Sequence, residues 1–201
     1  MKTLVTGASG FIGSTIVRKL LEKGADVRVV IRKGSDTKNI DTLDVETVYG
    51  DIRDSDSIRG ALKGCDTLYH VAAYFAHWSP NKKLFYDINV NGTKNILGEA
   101  LAQGVDKVVY TSTSNTIGSH GAGNFVTEEA QFNGWKTGDH YAISKYLAEI
   151  EAKKIYDKEI GKEASISDGL KYEIEKNAFH VSIFLRPKFD VRHPSLKVEK
   201  L

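Results

Sequence analysis

Short runs of β-branched and aliphatic residues alternate with longer stretches whose apolar positions recur at helical spacing, and this alternation fills the first two-thirds of the chain. The short runs predict strands at 3–6, 27–31, 45–49, 67–71 and 107–111. Between them, 12–23, 55–63 and 83–103 gather apolar residues on one helical face, as with Ile12, Ile16 and Leu20 or Val90, Leu97 and Leu101. Such repeats build βαβ units. The expected fold is therefore α/β, a doubly wound parallel sheet of Rossmann-like type with right-handed crossovers and helices on both faces. Past residue 150 the pattern changes: 151–201 hold 20 charged residues in 51 positions, against 34 in the first 150. The expectation there is the end of a helix, a charged insertion at about 157–178 that is either helical or poorly ordered, and a last strand at 181–185. The domain is expected to run over 1–187, leaving 188–201 as a short, atypical tail.

At 201 residues the chain suits one sizeable core. Its 28 basic and 26 acidic residues are well mixed and leave a net charge of +2. No electrostatic footprint favours nucleic acid or an anionic membrane, and a small-molecule partner fits better. No apolar run approaches the roughly 20 residues of a membrane span. MKTLVTGASGFIG reads as a strand running into a glycine turn, not as a leader. A lone Cys65 excludes a disulfide framework, which suggests a reducing, cytoplasmic setting, and reads as a small buried residue. The six histidines show no ligand spacing, so no metal is expected.

The chemistry-bearing segments lie at the strand ends. GASGFIG at 7–13 follows the first strand and opens the first helix, placing Gly7, Ser9, Gly10, Phe11, Ile12 and Gly13 where a dinucleotide pyrophosphate would lie. Glycine suits a tight turn, a backbone close to phosphate and a helix packed on its strand, although a purely structural turn has the same composition. The second strand ends on Ile31 and Arg32, where a cofactor with a free ribose 2′-OH usually meets an acid; arginine suits a 2′-phosphate. NADP is the expected cofactor, with NAD the alternative, Lys33 and Ser9 as helpers, and a solvated strand-end arginine as the bland account. In GDIRD at 50–54, Asp51 can accept from the adenine amine and Ile52 can pack on the ring; a helix N-cap is the competing role, better suited to Asp54.

Taken together, TGASGFIGS at 6–14, GDIRD at 50–54, HVAA at 70–73, NVNGTKN at 89–95, VVYTSTSNTIG at 108–118 and YAISK at 141–145 resemble the extended short-chain dehydrogenase/reductase superfamily, in its NAD(P)-dependent epimerase/dehydratase, dihydroflavonol-reductase-like branch. The segments keep family order and spacing through about residue 150. The resemblance implies a catalytic hydroxyl, tyrosine and lysine, which fall on Thr113, Tyr141 and Lys145, and strand-end Ala72 and Ala73 where backbone nears the cofactor. Four apart on a helix, Tyr141 and Lys145 share a face, so the ammonium is expected to lower the phenol below its usual ~10 and make it a proton donor or acceptor. Asn89 is expected either to brace the site through water or backbone or to serve as polar packing.

A second Tyr-x-x-x-Lys, YEIEK at 172–176, follows no hydroxyl-rich strand end at a suitable interval and reads as an exposed helix or loop. The aromatic stretch after the fourth strand, with Tyr74, Phe75, His77 and Trp78, is a candidate substrate wall or equally a loop anchor. Family members follow the catalytic helix promptly with a sixth strand and a substrate lobe. Here the interval is long and charged before HVSIFLRP at 180–187, and only 14 residues follow. The expected function is an NADP(H)-dependent reductase or epimerase acting on a carbonyl or secondary alcohol. The alternative is an NAD(P)-binding protein with little turnover because the substrate lobe is short. The helices at 83–103 and 139–156 are candidates for two-fold pairing in a homodimer.

Overall fold

A computed structural model describes residues 1–118, 130–160, 172–173 and 182–185, with backbone only from residue 157 onward. The predicted alternation is realised in order: β1 (Lys2–Thr6), α1 (Phe11–Glu22), β2 (Asp26–Ile31), β3 (Glu46–Tyr49), α2 (Ser55–Leu62) and β4 (Thr67–His70). There follow a short α3 (Lys83–Phe85), α4 (Gly92–Ala102), β5 (Lys107–Thr111), α5 (His140–Ile160), β6 (Tyr172–Glu173) and β7 (Ser182–Leu185). The sheet runs β3-β2-β1-β4-β5-β7-β6, and its first five strands are parallel. The strand order reverses between β1 and β4. In an open parallel sheet the carboxyl ends of strands flanking such a switch point splay apart and leave a crevice.

Side-chain alternation divides the core between the two sheet faces. Leu4, Leu68, Val108 and Tyr110 pack with Ile58, Leu62, Ile96, Leu97 and Ala148 from α2, α4 and α5. Their strand neighbours Val5, Val29, Tyr69 and Val109 pack on the other face with Val17 and Leu20 of α1. On α5 the buried positions include the small residues Ala142, Ser144, Ala148 and Ala152, which let it lie close against the sheet and α4. Cys65 is buried and its thiol is pushed up by that burial, as suits a packing residue.

The fold refines the sequence reading in three places. The helix predicted over 83–103 is interrupted by a π-helical stretch, Tyr86–Asn91, because the Asn89 side chain turns inward to partners outside its own helix. A wide turn of this kind often marks a functional position. The last strand, predicted at 181–185, forms over Ser182–Leu185 but runs antiparallel to β5. Tyr172 and Glu173, expected in a helix or loop, pair with β7 as an antiparallel edge strand. Lys176, the domain boundary at 187, the tail and most of the charged insertion lie outside the described residues. Among those described, no helix is long and apolar enough to cross a membrane.

Candidate active site

The strand ends around the switch point enclose a cleft of about 710 Å³, and the predicted residues Gly7, Ser9, Gly10, Phe11, Ile12, Gly13, Arg32, Asp51, Ile52, Ala72, Ala73, Thr113, Tyr141 and Lys145 all line it. Its floor is built by the glycine turn. Gly7 has φ +72°, and a Cβ there would come within 2.7 Å of the Ala72 backbone nitrogen. At Gly13 a Cβ would overlap the Gly7 carbonyl oxygen and lie 2.6 Å from its carbon. These glycines are therefore fixed by contact between α1, the turn and β4. The N-cap of α1, Gly10, supplies no side-chain oxygen to the first-turn N–H groups, and that turn holds no acid. Those donors and the positive end of the helix suit an anion.

At the second strand end, Arg32 is exposed and borders the cleft together with Ser9 and Ser35, whose N–H closes a turn onto the Arg32 carbonyl at 3.1 Å. Lys33, the expected helper, is not among the lining residues, and Ser35 takes that place. Asp51 is more strongly engaged than its sequence context suggested. Arg53 donates to both its carboxylate oxygens, with Nε shared between Oδ1 at 3.0 Å and Oδ2 at 3.1 Å and Nη2 on Oδ2 at 2.6 Å, and the Arg53 backbone N–H donates to Oδ1 at 2.9 Å. This pairing holds the Asp51 carboxyl below its ordinary range against the opposing effect of burial. Asp54 takes the N-cap of α2, as its position suggested. Ile52 is buried, and a Cβ on Gly92 would meet its Cδ1 at 2.6 Å, so the bare Gly92 seats this wall of the cleft.

The opposite wall comes from β5, the turn after it and α5. Thr113 caps a 3₁₀ turn, Ser114–Thr116, its hydroxyl accepting from the Asn115 N–H at 3.3 Å, and it lines the cleft together with Tyr141. Phe75 packs edge-on against the Tyr141 ring, with centroids 4.9 Å apart. Burial raises the Tyr141 phenol above its ordinary value, the Thr113 hydroxyl opposes this, and Asp139 adds to it. The expected lowering by Lys145 is thus overturned, because the Lys145 ammonium points elsewhere: it donates to the Tyr110 hydroxyl at 2.9 Å and the Thr111 carbonyl at 2.8 Å. Lys145 is 2% exposed, and burial brings it down to about 8 even though Glu149 pulls it upward.

Beneath this wall runs a buried polar chain that the sequence did not announce. The Thr6 hydroxyl accepts from the Val71 and Ala72 N–H groups, both at 3.2 Å, so its own hydrogen goes to His70 Nδ1 at 2.7 Å. His70 Nε2–H then donates to Thr93 Oγ1 at 3.1 Å, and the His70 ring stacks on Tyr110. Asn89 braces the site through backbone and side chain: its Oδ1 accepts from Tyr74 N–H at 2.6 Å, while its Nδ2 donates to the Tyr74 carbonyl and Ser144 Oγ. Of the aromatic stretch, Tyr74 and Phe75 line the cleft, His77 rests on Phe75, and Trp78 is 75% exposed. Sequence reasoning also missed Glu149, although Tyr141, Lys145 and Glu149 stand four apart along one helix.

A Rossmann-like architecture, with a hydroxyl, a phenol and a buried lysine in the same cleft as its glycine turn, is the class that these features define. Comparison narrows it. Residues 3–164 match the model of the NAD dependent epimerase/dehydratase family, and the chain belongs to that family. It is 40% identical over 148 residues to a putative dihydroflavonol 4-reductase of Synechocystis sp., covering 74% of this chain and 43% of that protein. It is likewise 40% identical over 151 residues to sterol demethylase protein B of Methylococcus capsulatus, covering 74% and 45%. Among solved structures, the dTDP-glucose 4,6-dehydratase of Streptomyces venezuelae with NAD bound superposes with a TM-score of 0.71 at 31% identity, over 81% of this chain and 53% of that one. The chain thus spans less than half the length of these two curated relatives.

Proposed function

We propose that this chain holds NADP(H) in the cleft and serves a reductase or epimerase that acts on a carbonyl or secondary alcohol of a small molecule. The observation that carries the reading is the convergence of Thr113, Tyr141 and Lys145 on one wall of the cleft whose floor is the Gly7–Gly13 turn. The residues fit a dinucleotide on structural grounds, since the first turn of α1 borders the cleft with no side-chain cap on its N–H groups and no acidic residue. The turn and the first N–H groups of α1 would hold the pyrophosphate, Ile52 and Asp51 would flank the adenine, and Arg32 with Ser9 and Ser35 would meet a 2′-phosphate. When bound, the nicotinamide supplies the two-electron chemistry.

The chain's own residues manage the proton. Because burial raises the Tyr141 phenol, it keeps its proton at neutral pH and is a donor to a substrate oxygen. Thr113, on the same wall of the cleft, would present a second hydroxyl to the same oxygen. Lys145, brought to about 8, stays largely an ammonium at neutral pH yet gives up its proton before the phenol does. Phe75 packs edge-on against the Tyr141 ring and borders the same cleft.

The test is a fluorescence titration with NADPH and NADH, followed by NADPH oxidation against a panel of aldehydes and ketones. NADPH is expected to bind more tightly than NADH, and Tyr141→Phe is expected to cost roughly a hundredfold in turnover with binding retained. Tight binding without oxidation of NADPH by any carbonyl, unchanged by Tyr141→Phe, would leave a cofactor-holding module in place of an enzyme. Failure of both nucleotides to bind would reduce the glycine turn to architecture.

A further inference from the structure

Glu149 is 7% exposed and lies on α5 one turn beyond Lys145 and two beyond Tyr141. Burial of a carboxylate is costly unless hydrogen bonds and a counter-charge offset it. Glu149 has both. Its Oε1 accepts from the Ser112 hydroxyl and, at 2.7 Å, from the Thr116 hydroxyl. These two residues bracket Thr113, and Thr116 Oγ1 also lies 2.7 Å from the Thr113 carbonyl oxygen, so its one hydrogen is shared between that carbonyl and Glu149. One carboxylate oxygen therefore pins to α5 the segment that aims Thr113 at Tyr141.

The charge acts on Lys145. From β5, Tyr110 faces the ammonium and accepts from it. His70 of β4 lies behind Tyr110, and its charged form is disfavoured first by burial and then by Lys145, so it stands neutral. On its own helix Lys145 has Tyr141 before it and Glu149 after it, with Lys153 buried one turn further on. The Tyr110 phenol is held well above its ordinary value, by burial first, and is uncharged. Among these described neighbours, Glu149 supplies the negative charge that opposes the desolvation of Lys145. Burial raises the Glu149 carboxyl above its ordinary value, and the Ser112 and Thr116 hydroxyls and the Lys145 charge oppose that rise and favour the ionised form.

We propose that Glu149 is a positioning residue of this site: its carboxylate ties the Ser112–Thr116 segment to α5 and is the counter-charge that keeps Lys145 an ammonium. This rests on the reading of Thr113, Tyr141 and Lys145 as the reacting set. Three variants separate the two roles. Glu149→Gln keeps an acceptor oxygen and removes the charge, Glu149→Asp keeps the charge on a shorter arm, and Glu149→Ala removes both.

NADPH affinity and turnover are measured from about pH 6 to about pH 10, a window that spans the titration of a buried lysine. The melting temperature of each cofactor-free protein is followed over the same range. In Glu149→Gln the alkaline limb of both profiles is expected about one unit lower than in the wild type, as loss of a nearby opposite charge requires. The melting-temperature gap between the two proteins is expected to change across the same interval. Glu149→Asp is expected to return the limb toward its wild-type position, and Glu149→Ala to lose turnover at every pH. Coincident profiles for Glu149→Gln and wild type overturn the charge role. Equal losses in Glu149→Gln and Glu149→Ala at every pH, with a constant melting-temperature gap, reduce the carboxylate to a structural tie. If wild-type protein binds no NADPH, the functional reading fails, while the pH dependence of the melting-temperature gap still decides whether Glu149 and Lys145 are coupled.

Discussion

His70 gives this fold an acid-sensitive point directly beneath its cleft. The ring is completely buried, and its Nδ1 is committed as an acceptor because the Thr6 hydroxyl spends its lone pairs on the Val71 and Ala72 N–H groups. Protonation would place a hydrogen where Thr6 already offers one, and would charge a ring that is shut off from the surface. Burial first, and the Lys145 charge second, bring its pKa from 6.5 down to about 3. The sign follows: the unfolded chain takes up a proton below pH 6.5 while the folded one does not, so stability falls as pH drops from 6.5 toward 3 and is unaffected above 6.5. At about 1.4 kcal/mol per unit, the loss is about 2 kcal/mol by pH 5 and on the order of 5 kcal/mol at the limit. That is a sizeable share of the roughly 5–15 kcal/mol that holds a typical domain together. Urea unfolding followed by tryptophan fluorescence from pH 7.5 to about pH 4.5 on wild type and His70→Gln measures it, since their difference cancels the carboxylates they share. His70→Gln is expected to be less stable at neutral pH, where Thr6 and Thr93 lose a well-placed partner, and to lose less on acidification. Parallel curves for the two proteins would refute a neutral, buried His70.

Two further perturbations address the cofactor half of the cleft. Arg32→Ala is expected to weaken NADPH by about 10-fold to 100-fold, the worth of one charge-assisted hydrogen bond set, and to leave NADH nearly unchanged; equal losses in a fluorescence titration would remove Arg32 from the 2′-phosphate. Gly13→Ala drives a methyl into the Gly7 carbonyl, with backbone on both sides, so both nucleotides are expected to lose more than about 10-fold and the melting temperature to fall. In Gly10→Ala the new methyl meets the same carbonyl oxygen at 3.3 Å, and a loss there as large as at Gly13 would contradict the packing argument.

What the sequence made legible was mostly what backbone geometry decides. The parallel strands and the glycine turn leave marks of composition and spacing, because period-two burial and a φ of +72° at Gly7 restrict which residues can stand there. Tyr141 and Lys145 could be told from Tyr172 and Lys176 by the strand end that precedes them. The partners of each group were not legible, because they depend on where side chains point. Arg53 on Asp51 and Tyr110 on Lys145 join residues whose pairing no spacing rule gives, across 2 and 35 positions. Glu149 was closer to hand, since its four-residue step from Lys145 was visible. What concealed it was that a carboxylate on a helix is usually a solvated one. The π-helical stretch was hidden for a related reason, as Asn89 leaves the helical register to satisfy Tyr74 and Ser144, and neither lies on its own helix.

The electrostatics of the pair follow from one cause acting with opposite signs. Burial disfavours charge, so it raises the Tyr141 phenol and lowers the Lys145 ammonium, and the two groups exchange the order in which free phenol and free amine differ least. With Lys145 at about 8 and Tyr141 above its ordinary value, the lysine loses its proton first on the alkaline side. A phenol that keeps its proton serves delivery to a substrate oxygen better than abstraction from one. Lys145 need not touch Tyr141 for this ordering to hold, because each responds to its own surroundings: Phe75 and Thr113 for the phenol, Tyr110, Thr111 and Glu149 for the ammonium. The tyrosine–lysine spacing thus sets both groups on one wall, while the residues packed around them decide which of the two gives up its proton.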